Sequence, residues 1–303
     1  AENRYLPSSR AQLEKQKKLL QEALSYEPIG LSCGFEYSPG ITTAETIDLL
    51  SVLENDDYLT SVHFRQDGEG SLQSIDELVE ITKKSGIPMQ MSHIGSCSAT
   101  GFMDGSLKKL RQVRDRGIDI TSDCYPYAAF CTNIGTTVFD EGCFEKWGKS
   151  YDAILITGGE FKNQRCTREI FEKVRRETPS MPVVAFVMNE EAVITACQEP
   201  FVMIGSDCGF EMGSGHPRSA GTFPRVFSRY VREKKVLTLM DALKKMTVQP
   251  AKRLQLAFKG EIKEGFDADL VIFDQNTITD HADFENPALP PSGIDYVIVG
   301  GTV

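Results

Sequence analysis

Three polar residues stand where apolar segments of the sequence end, and their types suit metal-assisted hydrolysis. His63 closes the segment LTSVH, His93 follows MQMS, and Asp207 follows VMIGS. Neutral imidazole is a preferred zinc ligand, and a carboxylate can take a proton from water and return it to a leaving group. Each residue alone also fits an ordinary structural role, as a strand-edge histidine or a turn aspartate. Their matched placement favours the chemical interpretation.

The segments that carry these residues alternate with amphipathic helical patterns at intervals close to thirty residues. Predicted strands lie in GLSCGFEY, YLTSVHF, IPMQMSHIG and IDITSDCYPY. Such repetition is typical of right-handed βαβ crossovers and predicts an α/β fold with a parallel sheet or barrel. Reacting groups of a barrel come from the carboxyl ends of its strands, so we expect His63, His93 and Asp207 to share one mouth. Asp123 ends IDITSD and is the rival base.

Local signals place the ends of several helices. Residues 11–25 form an amphipathic pattern, Thr42 with Glu45 forms a capping box, and Ser74 with Glu77 is interpreted as a second one. Gly86 is placed to end the helix that follows Ser74.

The alternation of predicted strands and helices is interrupted in two places, and these interruptions indicate the domain organisation. Residues 131–180 mix turns with a lone Trp147 and are predicted to be an insertion or long loop, after which VVAFV and FVMIGSD resume the barrel strands. From about residue 257, strand pieces with Gly turns replace the strand–helix alternation. We therefore predict a barrel portion at 1–256 and a small β-sandwich portion at 257–303.

Composition narrows the classes of protein and partner. The chain has 303 residues, 41% hydrophobic and 25% charged, which is typical of a folded globular protein. Its formal charge of -10 disfavours a nucleic-acid or anionic membrane partner. The sequence shows neither a membrane-length apolar stretch nor a signal peptide, so a cytoplasmic location is predicted. The eight cysteines form no C-x-x-C pair and are expected to be reduced; Cys33 as a metal ligand is the less favoured alternative.

Longer motifs resemble one family in order over nearly the whole chain. They are GFEYSPG (34–40), VHFRQDGEG (62–70), MSHIG (91–95), DCYPY (123–127), IGSDCG (204–209), GHPRSAGTFPR (215–225) and EGFDADLVIFD (264–274). This set resembles the N-acyl-D-amino-acid deacylases, or D-aminoacylases, of the amidohydrolase superfamily, and GHPRSAGTFPR is its most specific member.

The resemblance implies a TIM-like (β/α)8 barrel with a small β-sandwich, and zinc-dependent hydrolysis of a small molecule, an N-acyl-D-amino acid, to a D-amino acid and a carboxylate. His63 and His93 match the zinc-ligand histidines on strands five and six, and Asp207 matches the general base and acid on strand eight. Positions expected to hold the substrate carboxylate correspond to Arg218, Tyr125 and Tyr37. Guanidinium and phenol groups suit that role, although a loop cation and core aromatics are the ordinary alternatives. Homo-oligomerisation is left open.

Three departures accompany the resemblance. No His-x-His pair occurs, and GLSCGFEY corresponds to strand four, so strands about four to eight are expected in this chain. Gly95 replaces a lysine expected to bind the substrate carboxylate. Trp147, Lys162 and Arg165 lie in the loosely matching segment that could reshape the pocket. The alternatives kept open are a cyclic-amide hydrolase, of the hydantoinase or dihydroorotase type, and a non-catalytic barrel that has lost its metal.

Overall fold

The computed structural model describes residues 3–53, 57–211 and 213–303, and its strands and helices alternate through the first half. The helices are α1 Arg10–Leu24, α2 Thr43–Leu50, α3 Ser71–Ser85, α4 Ile94–Ser98, α5 Met103–Arg114, α6 Cys143–Trp147, α7 Arg168–Glu177, α8 Glu190–Gln198, α9 Arg218–Arg225, α10 Leu239–Met246 and α11 Val248–Arg253. The strands are β1 Gly30–Gly34, β2 Leu59–His63, β3 Met89–Met91, β4 Ile120–Cys124, β5 Phe130–Asn133, β6 Ile154–Ile156, β7 Pro182–Ala185, β8 Val202–Ile204, β9 Phe210–Glu211, β10 Ser214–Gly215, β11 Leu270–Phe273 and β12 Ile294–Ile298. A π-helical segment, Val226–Glu233, continues α9.

Within the described residues, a parallel sheet with the order β1-β2-β3-β4-β8 forms the centre of the molecule. The register pairs Val62 of β2 with Met91 of β3, and Cys124 of β4 with Ile204 of β8. Met89 and Met91 are fully buried, as expected for a parallel sheet that is covered by helices. Because the strands are parallel and in register, their carboxyl ends meet along one edge.

The helix boundaries confirm most of the local signals and correct one. Thr42 and Glu45 form the predicted capping box of α2, and Gly86 ends α3 in the left-handed conformation at φ 74°. The prediction of a second capping box at Ser74 was wrong, because α3 already begins at Ser71. The Ser74 hydroxyl instead accepts from the amide N–H of Gln66 at 2.8 Å and donates to the Gln66 carbonyl at 2.7 Å, which fixes the loop after β2.

The segment between β4 and α8 is a compact subdomain rather than a loop. Strands β5, β7 and β6 form an antiparallel sheet in that order, and α6 and α7 accompany it. Its own apolar core contains the rings of Phe130, Phe139, Trp147 and Phe171. The prediction that VVAFV resumes the barrel was therefore wrong: residues 182–185 pair antiparallel with β5 and β6, while β8 returns to the central sheet.

The chain ends in a small antiparallel ribbon of β11 and β12. Ile278, between the two strands, is buried in the main core, and Phe273 and Ile294 pack against it. Val271 and Val297 on the ribbon are 54% and 53% exposed. The division at 256/257 stays a prediction. Among the described helices, none combines the length and the apolar character that a membrane crossing requires.

Candidate active site

The six residues predicted to act in the site lie together at the carboxyl edge of the central sheet. A small cavity opens there. It is lined by Glu36, Tyr37, His63, Phe64, Asp67, His93, Ser96, Tyr125, Phe130, Cys131, Val138 and Asp207. Arg218 adjoins this lining through Asp207 and Tyr125. The order of the parallel strands thus brings together residues that are far apart in the sequence: Tyr37 and Arg218 are separated by 181 positions.

The two histidines face each other across the ends of β2 and β3. Nδ1 of His63 lies 3.0 Å from Nε2 of His93. The remaining ring nitrogens are also occupied: His63 Nε2 lies 2.9 Å from Glu36 Oε2, and His93 Nδ1 lies 2.7 Å from the Ser96 hydroxyl. Burial lowers the pKa of His63 to about 4. Burial, together with the neighbouring His63, lowers the pKa of His93 to about 4 as well. Both rings are therefore neutral at pH 7, the form that binds metals.

This pair fits two positions of a zinc site. Two nitrogens bound tetrahedrally at about 2.05 Å stand roughly 3.3 Å apart, close to the observed 3.0 Å. Glu36, at the other nitrogen of His63, is the kind of carboxylate partner that orients a metal-binding imidazole. In the described part of the chain, however, no group of three or more His, Cys, Asp or Glu side chains is arranged to hold a metal. Cys33 is a half-buried thiol whose pKa burial raises to about 11, and it does not line the cavity.

His93 and Asp207 share an uncommon backbone conformation just beyond their strands. Their φ angles are 36° and 47°, in the left-handed region that side chains rarely adopt. Asp123 stabilises this turn at His93, since its Oδ1 accepts from the His93 amide N–H at 2.9 Å. Its Oδ2 accepts from the Gln90 side-chain amide at 2.6 Å. Both carboxylate oxygens of Asp123 thus accept hydrogen bonds, and Asp123 does not line the cavity. This geometry fits a residue that holds the turn at His93 and does not fit the alternative role of general base.

Asp207 and Arg218 form an ion pair in which part of the guanidinium is unused. Arg218 Nη2 lies 2.9 Å from Asp207 Oδ2 and donates to the Cys131 carbonyl at 3.2 Å. Arg218 is only 5% exposed, and its Nε and Nη1 are buried without a hydrogen-bond partner. Buried donors of this kind are costly unless a ligand satisfies them. His216 fixes the backbone of Arg218, because its Nδ1 accepts from the Arg218 amide N–H at 3.0 Å.

Tyr125 packs against Arg218, and Tyr37 packs against His63. The guanidinium carbon of Arg218 lies 4.5 Å from the centroid of the Tyr125 ring, which is almost completely buried. Tyr37 packs against His63, with ring centroids 4.5 Å apart, and its hydroxyl donates to the Thr132 hydroxyl at 3.2 Å. Burial raises the pKa of Tyr37 to about 12, so its phenol stays protonated.

Sequence reasoning missed a charged cluster at the other end of the cavity. Lys146 Nζ lies 2.5 Å from Asp67 Oδ1 and 3.5 Å from Glu36 Oε1, and Trp147 Nε1 donates to Asp67 Oδ2 at 2.7 Å. Burial raises the pKa of Glu36 and of Asp67, while Lys146 opposes that effect. Glu36 and Asp67 were within quoted motifs, but nothing in the sequence links them to Lys146, which is 79 positions after Asp67.

The other departures noted in the sequence divide into those that touch the site and those that do not. Trp147 contacts the cavity lining, whereas Arg165 packs over the ring of Phe186 at 3.7 Å, away from the lining. Lys162 is exposed and does not line the cavity either. At Gly95, a Cβ atom would lie 3.0 Å from both Cys124 Sγ and Met188 Cε. The packing beneath the site therefore leaves no ready space for a longer side chain at position 95.

Comparisons with known proteins agree with this fold. The model of the amidohydrolase family matches residues 198–303. N-acyl-D-glutamate deacylase from Alcaligenes xylosoxydans xylosoxydans is 31% identical, over 97% of this chain and 61% of the relative. D-aminoacylase from the same organism is 30% identical, over 94% of this chain and 60% of the relative. A crystal structure of N-acyl-D-glutamate deacylase from Bordetella bronchiseptica, complexed with zinc and a phosphonate inhibitor, superposes with a TM-score of 0.88 and 28% identity, covering 100% of this chain and 65% of that one.

The parallel sheet and the match of residues 198–303 to the family model agree with an amidohydrolase barrel, as the (β/α)8 prediction expects. The chain as a whole is similar to the N-acyl-D-amino-acid deacylases, as its motifs indicated. It spans about three fifths of the length of the curated relatives it matches.

Proposed function

We propose that this chain carries the reaction site of a zinc-dependent hydrolase that cleaves N-acyl-D-amino acids to a D-amino acid and a carboxylate. The observation that supports this proposal best is the convergence of His63, His93 and Asp207 on one cavity, with Arg218 paired to Asp207 beside it. The relatives named above act on N-acyl-D-glutamate or are named D-aminoacylase, and both are deacylases of open-chain amides.

His63 and His93 would hold the zinc ion through the nitrogens that now face each other. The separation of Nδ1 and Nε2, the neutral state of both rings and the carboxylate behind His63 support this assignment. A bound zinc ion supplies Lewis acidity and lowers the pKa of water. The zinc-containing structure of the Bordetella relative adds support for the choice of metal.

Asp207 acts as general base and then as general acid. Its side chain is 40% exposed, so it can reach water in the cavity, and its Oδ2 pairs with Arg218 Nη2 at 2.9 Å. It takes a proton from the attacking water and returns it to the leaving nitrogen, as a carboxylate in this position can do.

Arg218 binds the α-carboxylate of the substrate, with Tyr125 and Tyr37 beside it. Two donors of Arg218, Nε and Nη1, are buried without a partner, and either can donate a hydrogen bond to a carboxylate oxygen. The Tyr125 ring stacks on the guanidinium, and the Tyr37 ring packs against His63.

The decisive experiment combines metal content with turnover. We expect the purified chain to bind about one zinc per molecule, measured by elemental analysis, and to hydrolyse N-acetyl-D-amino acids. Replacing Asp207 with Asn should leave zinc bound and lower kcat by ~1,000-fold or more, because base and acid steps are both lost. Unchanged turnover in Asp207→Asn, or preferential cleavage of cyclic amides, would contradict the proposal.

A non-catalytic barrel is the second candidate function. The observation in its favour is that the described residues arrange two metal ligands but no cluster of three. Measurable hydrolysis by the zinc-loaded chain would exclude it. A cytoplasmic location and assembly into a homo-oligomer are further proposals, which cell fractionation and sedimentation would test.

A further inference from the structure

The ring of His93 has a polar neighbour in the short helix that follows it. Ser96 lies in α4 and is buried, and its hydroxyl oxygen lies 2.7 Å from Nδ1 of His93 and 3.0 Å from the His93 carbonyl oxygen. The backbone amide of Ser96 also donates to that carbonyl, at 3.0 Å. Ser96 is thus joined both to the backbone of His93 and to its ring.

The direction in which the Ser96 hydroxyl donates decides which ring nitrogen of His93 is free. The hydroxyl carries one proton, so it can donate to the carbonyl or to Nδ1 but not to both at once. When it donates to the carbonyl, its oxygen can accept the N–H of Nδ1, and Nε2 then keeps a bare lone pair. When it donates to Nδ1, the ring proton must lie on Nε2, and that nitrogen cannot bind a metal.

Glu36 makes the corresponding choice at His63. Its Oε2 accepts from Nε2 of His63 at 2.9 Å, which holds the proton of this ring on Nε2 and leaves Nδ1 bare. Nδ1 of His63 lies 3.0 Å from Nε2 of His93. When Ser96 donates to the carbonyl, two lone pairs therefore face the same gap, which is the arrangement that two ligands of one metal ion require.

Helix α4 fixes the position from which Ser96 acts. His93 directly precedes the helix, and the next two residues after Ser96, Cys97 and Ser98, are fully buried. Both distances from the Ser96 hydroxyl are already within hydrogen-bonding range, so its proton can change acceptor without movement of any heavy atom.

We propose that Ser96 is a positioning residue of the zinc site, whose hydroxyl selects Nε2 of His93 as the nitrogen that binds the metal. With zinc bound, the hydroxyl donates to the His93 carbonyl and accepts from Nδ1–H. Without zinc, it donates to Nδ1, and Nε2–H of His93 donates to Nδ1 of His63. Each ring carries one proton in both states, so only the position of the His93 proton changes. This proposal rests on the proposed function, because it concerns the same two histidines.

Nitrogen NMR of the wild-type chain tests the selection directly. Two-bond proton–nitrogen correlation spectra of protein labelled with 15N-histidine distinguish the protonated nitrogen of each ring from the bare one. We expect the proton of His93 on Nδ1 in the zinc-loaded protein and on Nε2 in the metal-free protein. A bare Nδ1 of His93 in the zinc-loaded protein would overturn the proposal.

The zinc affinity of matched variants provides a second test. Ser96→Ala should raise the Kd for zinc by ~10-fold or more, because loss of a partner that orients a ligand histidine has an effect of this size. Competition with a chromophoric chelator measures the Kd. Ser96→Thr keeps a hydroxyl and should restore most of the affinity. Ser98→Ala is the control, since Ser98 is buried in the same helix but its hydroxyl donates to Ser106 Oγ at 2.9 Å; its Kd should equal that of the wild type.

The outcomes separate this proposal from the proposed function. An unchanged Kd in Ser96→Ala would overturn the role of Ser96 and leave the zinc site intact. Equal weakening in Ser96→Ala and Ser98→Ala would also overturn it, because the effect would then belong to the packing of α4. Failure of the wild-type chain to bind zinc would overturn the zinc site and this proposal together. If Ser96→Ala does not fold by circular dichroism, the wild-type NMR spectra decide.

Discussion

At the scale of single residues, the site depends on groups that hold the reactive ones in place. Asp123 holds the amide of His93 in its left-handed turn, Glu36 contacts the outer nitrogen of His63, and His216 accepts from the amide of Arg218. Glu36 and His216 are buried, and both carboxylate oxygens of Asp123 are hydrogen-bonded, so each support has a specific partner. The reactive side chains are thereby oriented before any ligand arrives.

Replacing Asp123 with Asn should destabilise the protein by about 1–3 kcal/mol, because the new NH2 group would face the NH2 group of Gln90 or the amide N–H of His93. Urea unfolding measures this change, and Glu69→Gln on an exposed position is the control. If Asp123 were the general base, stability would hold and turnover alone would vanish.

The histidine pair should make stability depend on pH. The folded-state pKa of His93 is lowered to about 4 by burial, whereas an unfolded histidine titrates near 6.5. The unfolded state therefore binds more protons between these values, and stability falls as the pH falls through that window. From pH 7 to pH 5 the metal-free protein should lose about 2 kcal/mol through this group.

The check is urea unfolding of the wild type and of His93→Asn at both pH values. The variant should show a correspondingly smaller loss, since Asn does not titrate and tolerates a positive φ. Equal losses in both proteins would show that His93 is not neutral in the fold.

At the scale of elements, α4 lies close to β4 and to the segment before α8, and this restricts the space at position 95. Helix α4 begins directly after His93, and a Cβ atom at Gly95 would lie 3.0 Å from Cys124 Sγ and from Met188 Cε. This close approach is visible only in three dimensions.

Gly95→Ala should cost about 1–3 kcal/mol, because the added methyl group would meet two sulfur-containing side chains at 3.0 Å. Gly105→Ala is the matched control: it lies exposed in α5, its nearest contact is Leu72 at 3.7 Å, and a gain of roughly 0.5–1 kcal/mol is expected there. Thermal unfolding of the two variants gives the comparison. If Gly95→Ala left the Tm unchanged, α4 would be able to shift and make room for the methyl group.

The sequence predicted the parts of the fold that repeat and missed the parts that depend on distant pairing. Strand–helix alternation and the Thr42 capping box are local, and both are confirmed. The segment VVAFV looks like a barrel strand because a buried strand has the same apolar pattern in any sheet. Its antiparallel partners are distant in the sequence: Phe130 is 55 positions from Ala185, and Ile156 is 27 positions from Val183, so periodicity alone could not identify them.

The same distinction applies to the site. His63, His93 and Asp207 were found because each follows an apolar strand, and Arg218 because its motif is long. The role of Lys146 could not be predicted, since its ion pairs with Glu36 and Asp67 join the subdomain to the barrel.

At the scale of the whole molecule, the barrel and the antiparallel subdomain meet at the cavity through Lys146 and Trp147. Lys146→Gln should destabilise the protein by about 2 kcal/mol or more, because two buried carboxyl groups lose their shared cation. Lys149→Gln, at an exposed position, should change stability by less than about 0.5 kcal/mol. Chemical unfolding followed by Trp147 fluorescence compares them; equal effects would mean that the ion pairs contribute nothing to the contact.

The antiparallel subdomain leaves the barrel and rejoins it at nearly the same point. The chain departs after β4 and returns before α8, and the Tyr125 hydroxyl lies 3.9 Å from Met188 Sδ. Because β4 then pairs directly with β8, the barrel register does not depend on what the excursion contains. The subdomain is thus a self-contained excursion: it contributes Phe130 and Val138 to the cavity lining, while the strand ends that carry His63, His93 and Asp207 belong to the central sheet.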